Sequence, residues 1–238
     1  MKPQDHTGFE TLKVIANANA FNKWMYETIA PFCQGNILEI GSGIGNISKF
    51  FLEHGASITL SDTDNFYVQK LKDQFPSINI LSIDLEHPLF VNEYKKILNQ
   101  YDTVFLLNVL EHINNDETAI RNCYHLLKDG GNLVILTPAY PGLYSKIDKG
   151  LHHYRRYTRK SLTGIIIKNH FIVKKLFHFN ALGAAGWLYA KLFGMKKIPS
   201  GEMKLFNKLT GVAKFFDKLL RNSLGLSIII VAGKNKIQ

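Results

Sequence analysis

The chain has 238 residues, 46% of them hydrophobic and 20% charged, which suits one α/β domain with a sizeable core and excludes a disordered chain. The formal net charge of +10 is unevenly placed: residues 1–141 carry 10 Lys/Arg against 16 Asp/Glu, and residues 142–238 carry 19 against 3. Cys33 and Cys123 have neither pairing nor metal-ligand spacing, the N-terminus has no apolar signal core, and no apolar run is long enough to span a bilayer, so a cytoplasmic protein with reduced, buried thiols is expected.

Residues 9–30 read as a helix stopped by Pro31. A short apolar strand, Ile37–Ile40, then runs into Gly41, Gly43 and Gly45, followed by a helical pattern with Ile47, Phe50 and Phe51. Glycines at such a turn let the backbone approach a ligand and point free amides at it. A dinucleotide fingerprint places them at relative positions 1, 3 and 6; here they fall at 1, 3 and 5, with Asn46 in sixth place.

The second strand, Ser57–Ser61, ends in Asp62, which follows Gly41 by 21 positions. An acidic residue at that distance is placed to accept hydrogen bonds from ribose hydroxyls. Asp62 also precedes a helix pattern over Asn65–Phe75, so capping is a second reading for it. The third strand, Ile78–Ile83, ends in Asp84, and the fourth, Tyr101–Leu107, ends in Asn108. Polar residues at successive strand ends mark the edge of a parallel sheet where ligands bind. A helix over Asp116–Lys128 has Gly130-Gly131 behind it, and a fifth strand follows to about residue 137. Alternation of strand and helix to that point predicts right-handed crossovers and a parallel sheet.

After Pro138 the segment Tyr140–Thr158 contains His152-His-Tyr-Arg-Arg-Tyr157; a helix pattern over Arg159–Asn169 and strands over Phe171–Phe179 and Leu226–Val231 follow. Residues 180–223 form a helical insertion between these strands. From Glu202 to Arg221 an apolar face (Leu205, Phe206, Leu209, Val212, Phe216, Leu219, Leu220) opposes Lys204, Lys208, Lys214, Lys218 and Arg221. The favoured expectation is a core-packed helix with a solvated lysine face. A lid or a peripheral helix on anionic lipid is the alternative.

Glu39-Ile-Gly-Ser-Gly-Ile-Gly45, Asp62, Ile83-Asp84-Leu85, Asn108-Val-Leu-Glu-His-Ile113 and Lys128–Pro138 together resemble the signature of class I S-adenosylmethionine-dependent methyltransferases. The resemblance covers roughly residues 20–140. It implies a Rossmann-like α/β fold with a seven-stranded, mostly parallel sheet whose last strand is antiparallel. It also implies S-adenosyl-L-methionine as cofactor, with Glu39, Gly41, Ser42, Gly43, Asp62, Thr63, Asp84, Leu85 and Asn108 binding it. Gly41 and Gly43 would pass under the methionine part, Asp62 would hold the ribose, Asp84 and Leu85 would flank the adenine, and Asn108 would lie beside the sulfonium. Residues 1–35 would form a helical cap in which Trp24 or Tyr26 either packs or lines the cofactor side, 36–138 the cofactor half, and 139–238 the acceptor half of a single domain. The His153–Thr158 segment, with Asn180-Ala-Leu-Gly183, Phe206 and Asp217, resembles a group of bacterial methyltransferases of undefined substrate.

Methyl transfer from a sulfonium needs alignment and exclusion of water, with a base only for a neutral hydroxyl or a protonated amine. The candidate acceptor-site residues are His112, His153, Tyr154, Arg155 and Arg156, with His152 as an alternative to His153. An arginine would grip a carboxylate or phosphate, a histidine would act as base, and Tyr154 and Tyr157 would wall the site. With the basic second half, this predicts O-methylation, and less readily N-methylation, of an anionic small molecule or peptide. Alternatives are a lipid-linked or glycan acceptor at a membrane surface, and a cofactor-binding scaffold without catalysis. Nucleic acid is not expected, because Asn108-Val-Leu-Glu111 lacks the Pro-Pro-aromatic box of DNA amino-methyltransferases. No metal is expected, because the histidines have no Cys or Glu at ligand spacing.

Overall fold

Sixteen strands and helices longer than a single 3-10 turn follow one another in the computed structural model, which describes residues 12–13, 15–195, 201, 205 and 207–235. In chain order they are α1 (Asn19–Ile29), β1 (Ile37–Ile40), α2 (Ser48–Glu53), β2 (Ile58–Asp62), α3 (Asn65–Gln74), β3 (Ile80–Ser82), α4 (Phe90–Glu93) and β4 (Tyr101–Leu107). Then come α5 (Asp116–Leu126), β5 (Leu127–Pro138), α6 (Lys146–Gly150), α7 (Arg159–Lys168), β6 (Phe171–Phe179), α8 (Ala181–Leu192), α9 (Thr210–Leu219) and β7 (Ser227–Lys234). The strands form one sheet in the order β3-β2-β1-β4-β5-β7-β6. β1 to β5 are parallel, and β7 runs antiparallel to both β5 and β6. The expected Rossmann-like α/β fold with an antiparallel last strand is therefore present.

The central strands are buried on both faces, as near-continuous apolar runs require. Alternate residues feed two core layers. Leu38, Val104, Leu106, Leu133 and Ile135 meet α5 and α7 through Ile120, Cys123, Leu126, Leu162 and Ile166. Ile37, Leu60, Phe105, Val134 and Leu136 meet α1, α2 and α3 through Trp24, Ile29, Phe51 and Leu71. Cys33 and Cys123 are free, buried thiols, and burial raises the pKa of each.

Local chemistry moved several expected boundaries. The helix expected over residues 9–30 is interrupted at Asn17 and Ala18, so α1 starts at Asn19; residues 9–11 and 14 lie outside the described residues. α5 stops at Leu126, two residues early, because Leu127 already pairs with Tyr101. α3 is capped by Asp64, whose side chain accepts from the Phe66 amide at 2.8 Å. Capping therefore does not fall to Asp62.

The insertion differs most. Within the expected helix 202–221 the structure describes α9, with Lys204 and Phe206 outside the described residues. The face that packs is Thr210, Ala213 and Asp217. Asp217 accepts hydrogen bonds from the Asn180 and Ala181 amides, both at 2.7 Å, clamping α9 to the start of α8. That rotation leaves Val212, Phe216 and Leu219 outward together with Phe215, so the apolar stripe expected in the core faces solvent.

Candidate active site

A cavity of about 730 Å³ opens at the carboxyl edge of the sheet, at the paired strands β1 and β4 from which the strand order runs outward in opposite directions. All nine residues expected to bind the cofactor line it: Glu39, Gly41, Ser42, Gly43, Asp62, Thr63, Asp84, Leu85 and Asn108. Gly41 has a φ of +71°, and a side chain there would run into Val109 at 2.5 Å, so both conformation and space demand glycine.

The turn is tied from below. Asp62 accepts from the Gly43 amide at 2.9 Å and from the Asp64 amide at 3.0 Å, one bond to each carboxylate oxygen, while burial raises its pKa. Glu39 is buried and accepts from the Ser48 hydroxyl; burial, reinforced by Asp62 and opposed by Ser48 and Ser42, pushes its pKa up to about 7. Asp84 accepts from the Glu86 amide at 2.8 Å, and its own amide donates to the Tyr94 hydroxyl at 2.9 Å. Trp24 packs on Phe179 with ring centroids 4.3 Å apart, and Tyr26 packs on Phe50 and Phe51. The cavity is lined from that side by Leu12, Phe21, Asn22 and Met25 instead.

Of the expected acceptor residues, His112, His153 and Arg156 line the cavity; Tyr154 and Arg155 are not among its lining residues. Tyr154 is 57% exposed, and its amide donates to the Glu111 carbonyl at 2.8 Å, stitching this loop to the turn after β4. Tyr157 is buried, and its hydroxyl donates to Asp116 at 2.7 Å. Arg155 pairs with Asp116 at 3.0 Å and donates to the Asn114 carbonyl. Arg156 is buried against the Trp187 ring, donating through Nε to Asp148 at 2.8 Å and through a terminal nitrogen to the Ala139 carbonyl at 3.0 Å. Each arginine thus has an internal carboxylate partner.

Sequence reasoning missed Asp148 and Glu111. Asp148 is fully buried and takes the ring nitrogen Nδ1 of His153 at 3.0 Å as well as Arg156 and the Ser145 amide. Burial works to raise its pKa, but the His153 and Arg156 interactions outweigh it and hold the carboxyl low. In the neutral His153 ring that donates through Nδ1, the lone pair is on Nε2. Glu111 is fully buried beside the cavity, and burial pushes its pKa up to about 7 against the opposing influence of His153 and Thr137. Desolvation, with His153 and His152, pushes His112 down to about 4. The histidines that lack ligand spacing along the chain thus gain a glutamate neighbour in space: Glu111, His112 and His153 present ligand atoms within 4.8 Å of one another. The available signal was Asp148 five residues before His153, which no periodicity flags.

A family model described as a methyltransferase domain matches residues 38–133, the stretch that supplies the glycine turn and all the strand-end polar residues. Over that stretch, and in its fold, the chain is similar to class I S-adenosylmethionine-dependent methyltransferases. A ubiquinone biosynthesis O-methyltransferase of Coxiella burnetii is 27% identical to this chain over 142 residues, covering 53% of the chain and 58% of that relative. The chain therefore spans less than two thirds of that relative's length. A methyltransferase structure from Archaeoglobus fulgidus superposes with a TM-score of 0.57 at 18% identity, covering 90% of this chain and 94% of that one. Phosphoethanolamine N-methyltransferase 2 of Haemonchus contortus, in complex with S-adenosyl-L-methionine, gives 0.59 at 16% identity over 90% of this chain and 52% of that one. At these identities the structural likeness concerns the fold.

Proposed function

We propose that the chain transfers a methyl group from S-adenosylmethionine to an oxygen of a small-molecule acceptor. The observation that carries this reading is one continuous cavity with two chemically distinct ends. At one end are the glycine turn, Asp62 and Asp84; at the other are Glu111, His112 and His153. S-adenosylmethionine, when bound, supplies an electrophilic methyl on sulfur. The donor set suits it: small backbone at Gly41 and Gly43 for the amino-acid part, Asp62 for the ribose, and Asp84 with buried Leu85 for the base. Cofactor and acceptor then share the cavity, so the chain's contribution is alignment and exclusion of water.

Oxygen is favoured over nitrogen by the histidine nitrogens at the far end, which can accept from an acceptor O–H, and by the similarity to an O-methyltransferase. An anionic acceptor has less support than a hydroxyl, because Asp148 and Asp116 already balance Arg156 and Arg155. The test is incubation with labelled S-adenosylmethionine and fractionated cell extract. Label appearing in a base-stable small-molecule ether supports O-methylation of a hydroxyl. Cofactor binding with no labelled product favours the scaffold alternative.

A second reading, a lipid-linked acceptor met at a membrane surface, is favoured by the insertion. One face of α8 (Gly183, Gly186, Trp187, Ala190) lines the cavity, while Leu188, Tyr189 and Leu192 point outward. Leu192 and Phe193 are 75% and 69% exposed, and on the adjoining α9 Phe215 and Leu219 are 63% and 62% exposed, beside Lys214 and Lys218. Among the described residues no helix is long and apolar enough to cross a membrane. An apolar face flanked by lysines suits a surface of anionic lipid. Vesicles containing phosphatidylserine should retain the protein on sedimentation, and Leu192→Glu with Phe215→Glu should release at least 10-fold more of it. Equal retention of parent and variant would remove this reading.

A further inference from the structure

The far end of the cavity contains the one group of metal-ligating side chains that the described residues bring together. Glu111 and His112 come from the 3-10 turn after β4, and His153 comes from the loop before α7. The two imidazole rings lie 4.6 Å apart at 88°, and the ligand atoms of all three residues fall within 4.8 Å of one another.

Two further observations point to a ligand between them. Glu111 is fully buried, yet its Oε1 has no hydrogen-bond partner, and Oε2 accepts only a 3.2 Å bond from Thr137. A buried carboxylate oxygen left without a donor is costly, and a cation removes that cost. His153 is also oriented from behind. Its Nδ1 contacts Asp148, which is itself fixed by Arg156 and Ser145, and this leaves Nε2 for the cavity. A carboxylate behind a histidine, setting its tautomer and direction, is the usual support of a metal-ligating imidazole.

We propose that Glu111, His112 and His153 bind one divalent transition-metal ion whose remaining positions face the cavity and hold the acceptor's oxygen. Two imidazoles and one carboxylate suit zinc, cobalt, manganese or iron(II) in preference to magnesium or calcium, which favour all-oxygen sites. Two ligands of a tetrahedral ion stand about 3.4 Å apart, so the three groups must draw together. His112 can do this, because its ring is accessible from the cavity. The ion would take the acceptor's O–H in place of hydrogen bonds to the free histidine nitrogens. This last step rests on the transfer reading above; the ion site itself does not.

The test is titration of the full chain, stripped with chelator, with Co²⁺ and Zn²⁺. One equivalent should bind with a Kd in the micromolar range or tighter, and Co²⁺ should develop visible d–d absorption. His112→Ala and Glu111→Gln should each weaken binding at least 10-fold, and His112→Ala with His153→Ala should abolish the absorption. Asp148→Asn should weaken binding roughly 10- to 100-fold by releasing the His153 ring. Absence of binding in the parent, or binding that survives in the double variant, overturns the proposal. S-adenosylmethionine affinity, measured on every variant, reports the fold separately: a parent that binds Co²⁺ but no cofactor would sink the transfer reading and leave the ion site standing.

Discussion

The two ends of the cavity are built by different means. The cofactor wall, from Glu39 to Asn108, takes its residues from the ends of consecutive parallel strands and the turns that follow them. Strand register places those residues, and each is close in sequence to the strand that positions it. The acceptor end takes Glu111 and His112 from one turn, His153 and Arg156 from the loop after α6, and Trp187 from the insertion, with Asp148 of α6 behind them. Here side-chain charge pairing does the positioning, with Asp148 at its centre. A wall set by register tolerates loss of one side chain, whereas an end set by a buried ion pair depends on a single carboxylate.

The largest expected effect is at that carboxylate. Asp148→Asn leaves Arg156 buried without its counter-charge and should lower unfolding free energy by about 3–5 kcal/mol. Urea unfolding with and without the substitution measures this. Turnover should fall while cofactor Kd stays within about 2-fold in the folded fraction. An equal loss of cofactor affinity would erase the distinction between the two ends.

Next is Glu39. Burial raises its pKa from 4.5 to about 7, so the folded chain holds a proton there that the unfolded chain has released. Stability then declines as pH rises from about 4.5 to 7 and stays reduced above it, by roughly 3 kcal/mol for a shift of this size. Glu39→Gln removes this dependence. The difference between variant and parent, followed in urea at pH 5 and pH 7.5 without cofactor, should grow in the variant's favour; a constant difference refutes it.

The smallest of the three is Asp62→Ala, which should weaken S-adenosylmethionine binding about 10- to 100-fold, the equivalent of one or two hydrogen bonds to a charged group. Acceptor KM should not change. Isothermal titration and initial rates separate the two quantities, and an unaltered cofactor Kd would contradict the role proposed for Asp62.

The same contrast governs what the sequence disclosed. Strand β6 was legible to the residue, because a segment rich in aromatic and β-branched residues, Phe171 to Phe179, closes before Asn180. The glycine turn and the strand-end Asp62, Asp84 and Asn108 were legible because parallel-sheet chemistry fixes where such residues fall. The Glu111–His153 contact was not, since it joins residues 42 apart through loops without period. The arginine pair announced charge but not its partners, which are internal. Helical spacing in α9 revealed an apolar stripe correctly; what covers a stripe is decided by tertiary packing, and here Asp217 turns the small residues inward.

The position of β7 has a consequence for biosynthesis. Among the described residues β6 bonds to no strand except β7, which enters between it and β5. On the ribosome, β6 therefore emerges as an orphan edge and waits for Ser227–Lys234 before it can join the sheet. Lys174 and Lys175 in its middle are the kind of charge that discourages a waiting edge from pairing with another nascent chain.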